Sequence, residues 1–321
     1  MTVEGANTAR NPLLRAAQAI KRIGPIWRRT PRRFFLLSQH RRLRKRISFR
    51  RRGFHWTGFA WDSHVTWSIY AHGDYQGEER RAVVRWLRRN GYLTEGRDLV
   101  VEVGANIGTT SLPLARDDGC RVLAIEPDPD NFELLQANVR RNGLEDRIAC
   151  ERAAVAGRSG AATLVVPAEA SGGAQILRSG GGPPRFGGDL SGEIRGFART
   201  RTAPLSELLR ERAIDPTTIA FVWSDAQGSD GYVISTAPEL WAAGVPLYME
   251  LWPAGMAQQG CADAVRAAQR YGFRAFIECG KLIAREVPVA QPITELRRLA
   301  DSLQGNDQTD VLLIPERGSP G

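Results

Sequence analysis

Two carboxylates lie at the ends of two apolar runs, close to a glycine turn. Leu99–Val103 is an apolar run around Glu102, and it stops at Gly104. A second run, Arg121–Ile125, stops at Glu126. Glu126 follows Gly104 by 22 positions, about the offset at which an α/β nucleotide-binding unit places an acid against ribose hydroxyls. The pattern predicts a strand, a turn, a helix and a second strand whose ends meet at one binding crevice.

The turn between these runs lacks a glycine that a dinucleotide site requires. It reads Gly104-Ala105-Asn106-Ile107-Gly108 and continues with Thr109, so no third glycine brings a helix N-terminus against a pyrophosphate. This argues against a dehydrogenase. We expect a ligand with a ribose and a positive charge but no phosphate, and S-adenosylmethionine is such a ligand. The residues expected to bind it are Glu102, Gly104, Ala105, Asn106, Gly108, Glu126, Pro127 and Ala154.

A later strand end carries the candidate for catalysis. Ile219–Trp223 is wholly apolar and predicts a strand buried on both faces, which delivers Ser224 and Asp225 to the crevice. Methyl transfer from a sulfonium needs an aligned nucleophile and little else, and a carboxylate can take the proton of a hydroxyl. Asp225 is therefore expected to act as a base or to orient the nucleophile. A structural cap or a ligand contact is the alternative role.

Helices and strands alternate along the rest of the chain. Asp128 as N-cap with Pro129 behind it begins a helix, which Gly143 ends. Another helix is predicted over 78–89. Further strands are expected at 148–155, 161–166, 247–251, 273–277 and 311–314. This alternation is typical of an α/β fold with a mostly parallel sheet.

Four motifs, in order, resemble the FkbM-type S-adenosylmethionine-dependent methyltransferases. They are EVGANIG with IEPDPDNFELLQANVRRNG after it, TAPLSELLRERAI (202–214), FVWSDAQGSDGYVIS (221–235) and PLYMELWP (246–253). The resemblance covers roughly residues 70–315. It implies a Rossmann-like class I methyltransferase fold, with a seven-stranded, mostly parallel sheet and an antiparallel C-terminal strand. It also implies S-adenosylmethionine as cofactor and O-methylation of a sugar, glycan or natural product.

The resemblance also assigns roles to single residues. Gln227 and Asp230 match the glutamine and the acid of the family motif WxDxQGxE, with aspartate where the family usually has glutamate. They join Asp225 as the expected catalytic residues. Glu250 and Trp252 match the strand end E-F-W-P and are expected to line the acceptor pocket.

These patterns divide the chain into three parts. Residues 1–61 are expected to be a basic, flexible arm, residues 62–97 a helical lead-in, and residues 98–315 the methyltransferase domain. A glycine-rich loop at 168–198 interrupts that domain, and either a linker or a lid over the substrate suits its length. In the lead-in, Tyr70–Tyr75 is expected to pack against the core, with roofing of the cofactor pocket as the alternative.

The N-terminal arm carries the positive charge of the chain. Residues 1–61 contain 16 of the 44 lysines and arginines and a single acid, Glu4, so the net charge of +9 belongs to the arm. We interpret it as solvated. Contact of residues 10–52 with an anionic membrane surface, or with nucleic acid, is the alternative. Because no apolar run approaches the roughly 18 residues of a membrane span, we expect a cytoplasmic protein, attached to a membrane only peripherally.

The cysteines and histidines argue against several kinds of site. The four cysteines stand singly, and all four histidines precede the glycine turn. This distribution supports neither a zinc site nor a disulfide framework, and it excludes the Ser/Asp/His order of an α/β-hydrolase. No metal is expected, because the acids near the crevice have neither compact spacing nor a histidine nearby.

Two other functions compete with O-methylation. Methyltransferases that act on the amino group of a base usually have D/N/S-P-P-Y/F/W at the end of the fourth strand, where this chain reads SDAQG. Nucleic acid is therefore not expected as a partner, and a small molecule or glycan is. The other competitor is a non-catalytic protein that binds the cofactor or a partner. Its support is the aspartate at position 230, where the family usually has glutamate.

Overall fold

Strands and helices alternate through the part of the chain that the computed structural model describes, residues 46–178, 186, 193–284 and 289–316. The strands are β1 (Arg46–Arg51), β2 (Phe54–Phe59), β3 (Leu99–Val103), β4 (Arg121–Ile125), β5 (Ile148–Glu151), β6 (Ala154–Val155), β7 (Gly160–Pro167), β8 (Gln175–Ile176), β9 (Ile194–Ala203), β10 (Ile219–Ser224), β11 (Leu247–Leu251), β12 (Phe273–Glu278), β13 (Gln291–Pro292) and β14 (Thr309–Pro315). The helices are α1 (Val65–His72), α2 (Gly77–Arg89), α3 (Ser111–Arg116), α4 (Pro129–Arg141), α5 (Leu205–Glu211), α6 (Asp230–Thr236), α7 (Pro238–Ala242), α8 (Pro253–Gln259), α9 (Asp263–Arg266), α10 (Cys279–Ile283) and α11 (Leu296–Ser302).

The largest sheet has eight strands within the described residues, in the order β13-β12-β14-β11-β10-β3-β4-β5. The strands from β11 to β5 are parallel to one another, whereas β14 runs antiparallel between β11 and β12. The strand order reverses between β3 and β10. The expected Rossmann-like class I methyltransferase fold is confirmed, including the antiparallel C-terminal strand. The sheet has more than the seven strands expected, because the two-residue strand β13 pairs with β12 at the edge.

The central strands are buried because helices cover both faces of the sheet. Every residue of β3 and of β10 is buried, which matches their near-continuous apolar sequences. One core cluster contains side chains from the hairpin β1–β2 and from α2 to α4, and the other contains side chains from α5 to α9. The helix after β4 begins as predicted, since the Asp128 carboxylate accepts from the backbone N–H groups of Asp130 and Asn131.

The end of the expected basic arm is an ordered hairpin. β1 and β2 pair antiparallel, and the aromatic side chains of β2 are buried in the core. Asn138 of α4 fastens the hairpin: its Oδ1 accepts from the Thr57 N–H at 2.7 Å and its Nδ2 donates to the Thr57 carbonyl at 3.0 Å. The arm therefore cannot extend to residue 61 as expected. Residues 1–45 lie outside the described residues.

A second sheet of four strands, in the order β6-β9-β7-β8, lies between β5 and β10 along the chain. The single strand expected at 148–155 is thus two strands, β5 in the first sheet and β6 in the second. The strand expected at 161–166 is β7, which lies between β9 and β8 in the second sheet. The expected glycine-rich loop at 168–198 contains a 3-10 turn at Ser171–Gly173, all of β8 and the start of β9. Residues 179–185 and 187–192 of that loop lie outside the described residues.

Candidate active site

A cleft of about 230 Å³ opens at the carboxyl ends of β3, β4, β10 and β11. This is the edge of an open α/β sheet, next to the reversal of strand order, where ligands bind in such folds. The expected site residues that line the cleft are Glu102, Gly104, Asn106, Glu126, Pro127, Ala154, Asp225, Gln227 and Glu250. Four other expected residues do not line it: Ala105, Gly108, Asp230 and Trp252.

The glycine turn brings two strand ends into direct contact. Gly104 has a φ of 88°, and a Cβ atom at this position would lie 2.0 Å from the carbonyl oxygen of Asp225. Only glycine lets β3 and β10 end this close together. In return, the backbone N–H of Asp225 donates to the Val103 carbonyl at 2.9 Å. The turn thereby places the catalytic candidate beside the crevice.

Ala105 and Gly108 serve the packing of the turn rather than the cleft. Ala105 is fully buried, and its N–H donates to the Ile125 carbonyl at 3.0 Å. At Gly108, a Cβ atom would come within 2.4 Å of a Leu112 methyl group. Both residues were expected to contact the cofactor; the structure instead places them behind the cleft wall, against β4 and α3.

Glu126 is held by the backbone of the turn and of the next helix. Its Oε2 accepts from the Asn106 N–H at 2.7 Å, and its Oε1 accepts from the Asp128 N–H at 2.8 Å. Burial raises the pKa of Glu126 to about 8, and the charge of Asp128 adds to this shift. The carboxyl group therefore has a fixed orientation and a strong need for a further donor or a positive charge.

Glu102 is a second buried acid of the cleft wall. It accepts a hydrogen bond from the Ser111 hydroxyl. Burial raises the pKa of Glu102 to about 8, the Ser111 hydrogen bond opposes this, and the charges of Asp225 and Glu126 add to it. Three carboxyl groups thus face one small volume, which favours a cationic ligand.

Asp225 lies in the cleft just beyond β10, with its carboxylate oriented by a neighbouring amide. The Nε2 of Gln227 donates to the Asp225 Oδ1 at 2.9 Å. Gln227 itself has a φ of 49°, an unusual backbone conformation for a residue with a side chain. Burial raises the pKa of Asp225, while hydrogen bonds from Gln227 and Gln76 lower it. A raised pKa and a fixed geometry are what a general base requires.

Asp230 does not reach the cleft, contrary to the expectation of a catalytic role. It is fully buried at the start of α6. Its Oδ1 accepts from the Ser224 hydroxyl at 2.5 Å and from the Ala226 N–H at 3.2 Å. These two partners flank Asp225. Asp230 therefore holds the backbone on either side of Asp225 and acts as a positioning residue.

The two residues expected in the acceptor pocket separate in the structure. Glu250, in β11, lines the cleft. Trp252 begins the turn into α8, and its side chain is fully buried in the protein interior, so it does not contact the cleft. Residues two positions apart share a face only while a strand continues. β11 ends at Leu251, and Trp252 already belongs to the turn into α8, which the motif alone does not reveal.

Several lining residues were missed from the sequence. Tyr75 and Gln76 line the cleft from the segment before α2, so part of the expected packing segment forms its roof. Residues 170–176, which comprise the 3-10 turn and β8, also line it. The Nδ2 of Asn131 donates to the Ser171 carbonyl at 2.8 Å and joins this wall to α4. The tyrosines of Tyr70–Tyr75 were a usable signal for a segment that covers the cleft. Nothing in the neighbouring sequence identifies Gln76 or Ser171 as lining residues.

The family of the chain follows from comparison with known proteins. A model of the Methyltransferase FkbM domain matches residues 102–274, which is more than half of the 321 residues. The chain belongs to the FkbM methyltransferase family. The resemblance inferred from the motifs is thereby confirmed, and S-adenosylmethionine is the methyl donor that membership of this family implies.

Individual relatives match only short stretches. An uncharacterized protein of Haemophilus influenzae is 37% identical over 68 residues, which are 21% of this chain and 27% of that protein. The tRNA(Phe) (4-demethylwyosine(37)-C(7)) aminocarboxypropyltransferase of Pyrococcus horikoshii is 45% identical over 51 residues, which are 16% of this chain and 18% of that enzyme. A crystal structure of P. horikoshii TYW2 in complex with MeSAdo has 14% identity and a TM-score of 0.40, over 85% of this chain and 71% of that chain. The tRNA in the name of the Pyrococcus horikoshii aminocarboxypropyltransferase concerns that enzyme and not this chain. The expectation that nucleic acid is not a partner of this chain is not confirmed.

The residues of the cleft fit S-adenosylmethionine. Glu126, at the end of β4, would accept from the ribose hydroxyls. The backbone of Ala153–Val155 lines the neighbouring wall and offers an edge for the adenine. The carboxyl groups of Glu102 and Asp225 surround the remaining volume, and the sulfonium and ammonium of the donor would stabilise their ionised forms. No acid is present in 153–157, so backbone groups must serve the adenine.

Two further observations concern metals and membranes. Among the described residues, no group of three or more histidine, cysteine, aspartate and glutamate side chains is arranged to hold a metal ion. Within the same residues, no helix has the length and apolarity that crossing a bilayer requires.

Proposed function

We propose that this FkbM methyltransferase transfers the methyl group to a hydroxyl oxygen of a small molecule or glycan. The observation that carries the proposal is the position of Asp225. Its carboxylate lines the cleft beside the donor crevice and is oriented by Gln227. A hydroxyl must lose a proton as it is methylated, and a carboxylate with a raised pKa is a competent acceptor for that proton.

The proposed reaction is a single displacement. When bound, S-adenosylmethionine supplies an electrophilic methyl group on a positively charged sulfur. The acceptor oxygen forms a bond to the methyl carbon as the carbon–sulfur bond breaks, and the hydroxyl proton moves to Asp225. Gln227 fixes the direction of the carboxylate, and Asp230 holds the adjoining backbone through Ser224 and Ala226.

The remaining lining residues divide between the two substrates in this proposal. Glu126, Pro127, Ala154 and the turn residues Gly104 and Asn106 form the donor end, with Glu102 between the two ends. Glu250 is assigned to the acceptor end, because its strand β11 lies on the other side of β10 from β3 and β4. Tyr75 also lines the cleft and is assigned to the same end. The two ends meet at Asp225, where alignment of the reactants supplies much of the rate.

Nucleic acid is the competing acceptor, because one relative is named for a tRNA. The charge of the cleft opposes it. Among the described residues that line the cleft there is neither lysine nor arginine, while four are acids: Glu102, Glu126, Asp225 and Glu250. Nucleic-acid affinity comes largely from cationic side chains at phosphates. An uncharged or cationic acceptor fits this cleft better than a polyanion does.

The test is transfer of radiolabelled methyl from S-adenosylmethionine to a panel of hydroxyl compounds and, separately, to total tRNA. We expect label in hydroxyl compounds as an alkali-stable ether, and a loss of about 10²-fold or more in kcat for Asp225→Asn. Asp263→Asn is the matched control, since the Asp263 side chain is 96% exposed. Label in tRNA but in none of the hydroxyl compounds would refute the proposal.

A further inference from the structure

Glu250 is a buried acid in the acceptor end of the cleft, and one of its carboxylate oxygens has no partner. Its side chain lines the cleft although the residue is only 7% exposed. The Oε2 atom is buried and has no hydrogen-bond partner. A buried polar atom without a partner costs about 1 to 3 kcal/mol, and more when it is charged. Such a group is stable in a cleft when a ligand supplies the missing donor.

Other acids surround Glu250. Asp310 of β14 lies directly opposite Glu250 of β11 in the antiparallel pair, so the two side chains share one face of the sheet. The Asp310 carboxyl group in turn lies close enough to the carboxyl group of Glu79, from α2, for the two to interact. Asp225 is close enough for its charge to act on Glu79, Glu250 and Asp310. We call Asp225, Glu250 and Asp310, with Glu79 behind them, the acidic subsite.

Within the described residues, the lining of the cleft offers no permanent positive charge to Asp225 and Glu250 of the acidic subsite. Neither lysine nor arginine occurs among the described residues of the cleft lining. Burial raises the pKa of Glu250 well above its usual range, and the charges of Asp225, Asp230 and Asp310 add to the shift. Burial and the neighbouring acids likewise raise the pKa of Asp310 to about 8. Like charges held together in this way are relieved by a bound cation.

We propose that the acidic subsite binds the ammonium group of the acceptor, so that the substrate is a hydroxylated amine of the amino-sugar type. Glu250 accepts a hydrogen bond from the ammonium through its free Oε2, and Asp310 and Asp225 compensate the charge. This inference rests on the proposed function, because it names the acceptor of the same hydroxyl methylation. In addition, the enzyme recognises the acceptor by the charge of an ammonium group that lies several bonds away from the reacting oxygen.

The same acids determine which atom of the acceptor reacts. An amine is nucleophilic only when it has lost its proton, and carboxylates around an ammonium hold that proton in place. The amine in the subsite is therefore kept from reacting. A hydroxyl on the same molecule is left to reach Asp225, which takes its proton as the carbon–oxygen bond forms.

The experiment measures binding and transfer separately. The full chain, saturated with S-adenosylhomocysteine, is titrated with glucosamine and with glucose, and with galactosamine and galactose as a second pair. We expect each amino sugar to bind at least about tenfold more tightly than its neutral parent, as a charge-assisted hydrogen bond provides. Glu250→Gln should remove this preference and leave the affinity for S-adenosylhomocysteine within about threefold. Glu145→Gln, at an exposed position, is the matched control.

Three results would overturn the ammonium subsite. The first is equal binding of the amino and neutral sugars. The second is binding of neither class while S-adenosylhomocysteine still binds. The third is a loss of S-adenosylhomocysteine affinity in Glu250→Gln as large as the loss of sugar affinity, which would assign the acids to the ammonium of the donor. Methylation of the bound amino sugar at nitrogen refutes both the proposed hydroxyl transfer and the claim that the subsite keeps the amine from reacting. No methylation refutes the hydroxyl transfer alone. Either result leaves the binding preference standing.

Discussion

Glu126→Gln tests the assignment of the donor end of the cleft. The Glu126 carboxylate already accepts from the N–H groups of Asn106 and Asp128, and we expect it to accept from two ribose hydroxyls as well. A hydrogen bond to a charged group contributes about 1 kcal/mol more than a neutral one, so the loss of charge at two ribose contacts is about 2 kcal/mol. This corresponds to about 30-fold weaker binding of S-adenosylhomocysteine.

The pH dependence makes this prediction specific. Burial raises the pKa of Glu126 to about 8, so below that pH the empty site is protonated and binding must release the proton. Each pH unit below the pKa then weakens binding by about tenfold. The affinity of the native protein should rise from about pH 6 to about pH 9, and Glu126→Gln should lower that slope by one proton. The native protein and Glu126→Gln should therefore differ most in their affinity for S-adenosylhomocysteine at high pH.

The assay is calorimetric titration with S-adenosylhomocysteine at three pH values, with Glu145→Gln as the exposed control. Thermal unfolding of Glu126→Gln checks that the fold survives, because the amide nitrogen of glutamine faces one backbone N–H and leaves it without an acceptor. That loss is about 1 to 3 kcal/mol. Native affinity in Glu126→Gln at high pH, with the fold intact, would refute the reasoning.

Three further predictions concern the base, the pH dependence of stability and the hairpin. Asp225→Asn should reduce kcat by about 10²-fold or more; an unchanged kcat removes Asp225 as the base. The pKa values of Glu102 and Glu126 are both raised to about 8, so the free energy of unfolding should fall from about pH 5 to about pH 8, and urea titrations that show a flat or rising profile would contradict this. Asn138→Ala leaves both backbone groups of Thr57 without their partner, and should lower the free energy of unfolding by about 2 to 4 kcal/mol; a loss below about 1 kcal/mol would mean that the hairpin is held by its aromatic side chains alone.

The strand ends of the site could be predicted because the signals are local. Apolar runs such as Ile219–Trp223 are long enough to mark a buried strand, and the polar residue after each run marks its end. The capped helix start at Asp128 is equally local. Since parallel strands end at one edge of the sheet, Glu126 and Asp225 could be placed at the same crevice without knowledge of any contact.

The direction of each side chain could not be predicted in the same way. Asp230 and Glu250 both matched motifs at strand ends, yet Asp230 turns back to Ser224 whereas Glu250 faces the cleft. The first residue of a helix points according to how the preceding loop is folded, and that loop depends on the unusual backbone of Gln227. Nothing in the residue types themselves decides this.

Contacts between distant segments escaped the sequence altogether. Glu79 and Asp310 come from a helix in the lead-in and from the last strand of the sheet, and they meet only because β14 inserts beside β11. The second sheet was missed for a similar reason, since β6 has only two residues. Its pairing with β9 depends on a return of the chain that no short pattern records.

That return of the chain leaves the strands that carry Glu126 and Asp225 outside the excursion between β6 and β9. Ala154 pairs with Thr202 and Val155 with Ala203, so the chain leaves the main fold after Val155 and has returned to the same place by Thr202. Part of this excursion, residues 170–176, forms a wall of the cleft. Doubling the length of a segment whose ends are already paired costs only about 0.6 kcal/mol. The excursion can therefore grow, shrink or be exchanged during evolution while the strands that hold Glu126 and Asp225 stay in place.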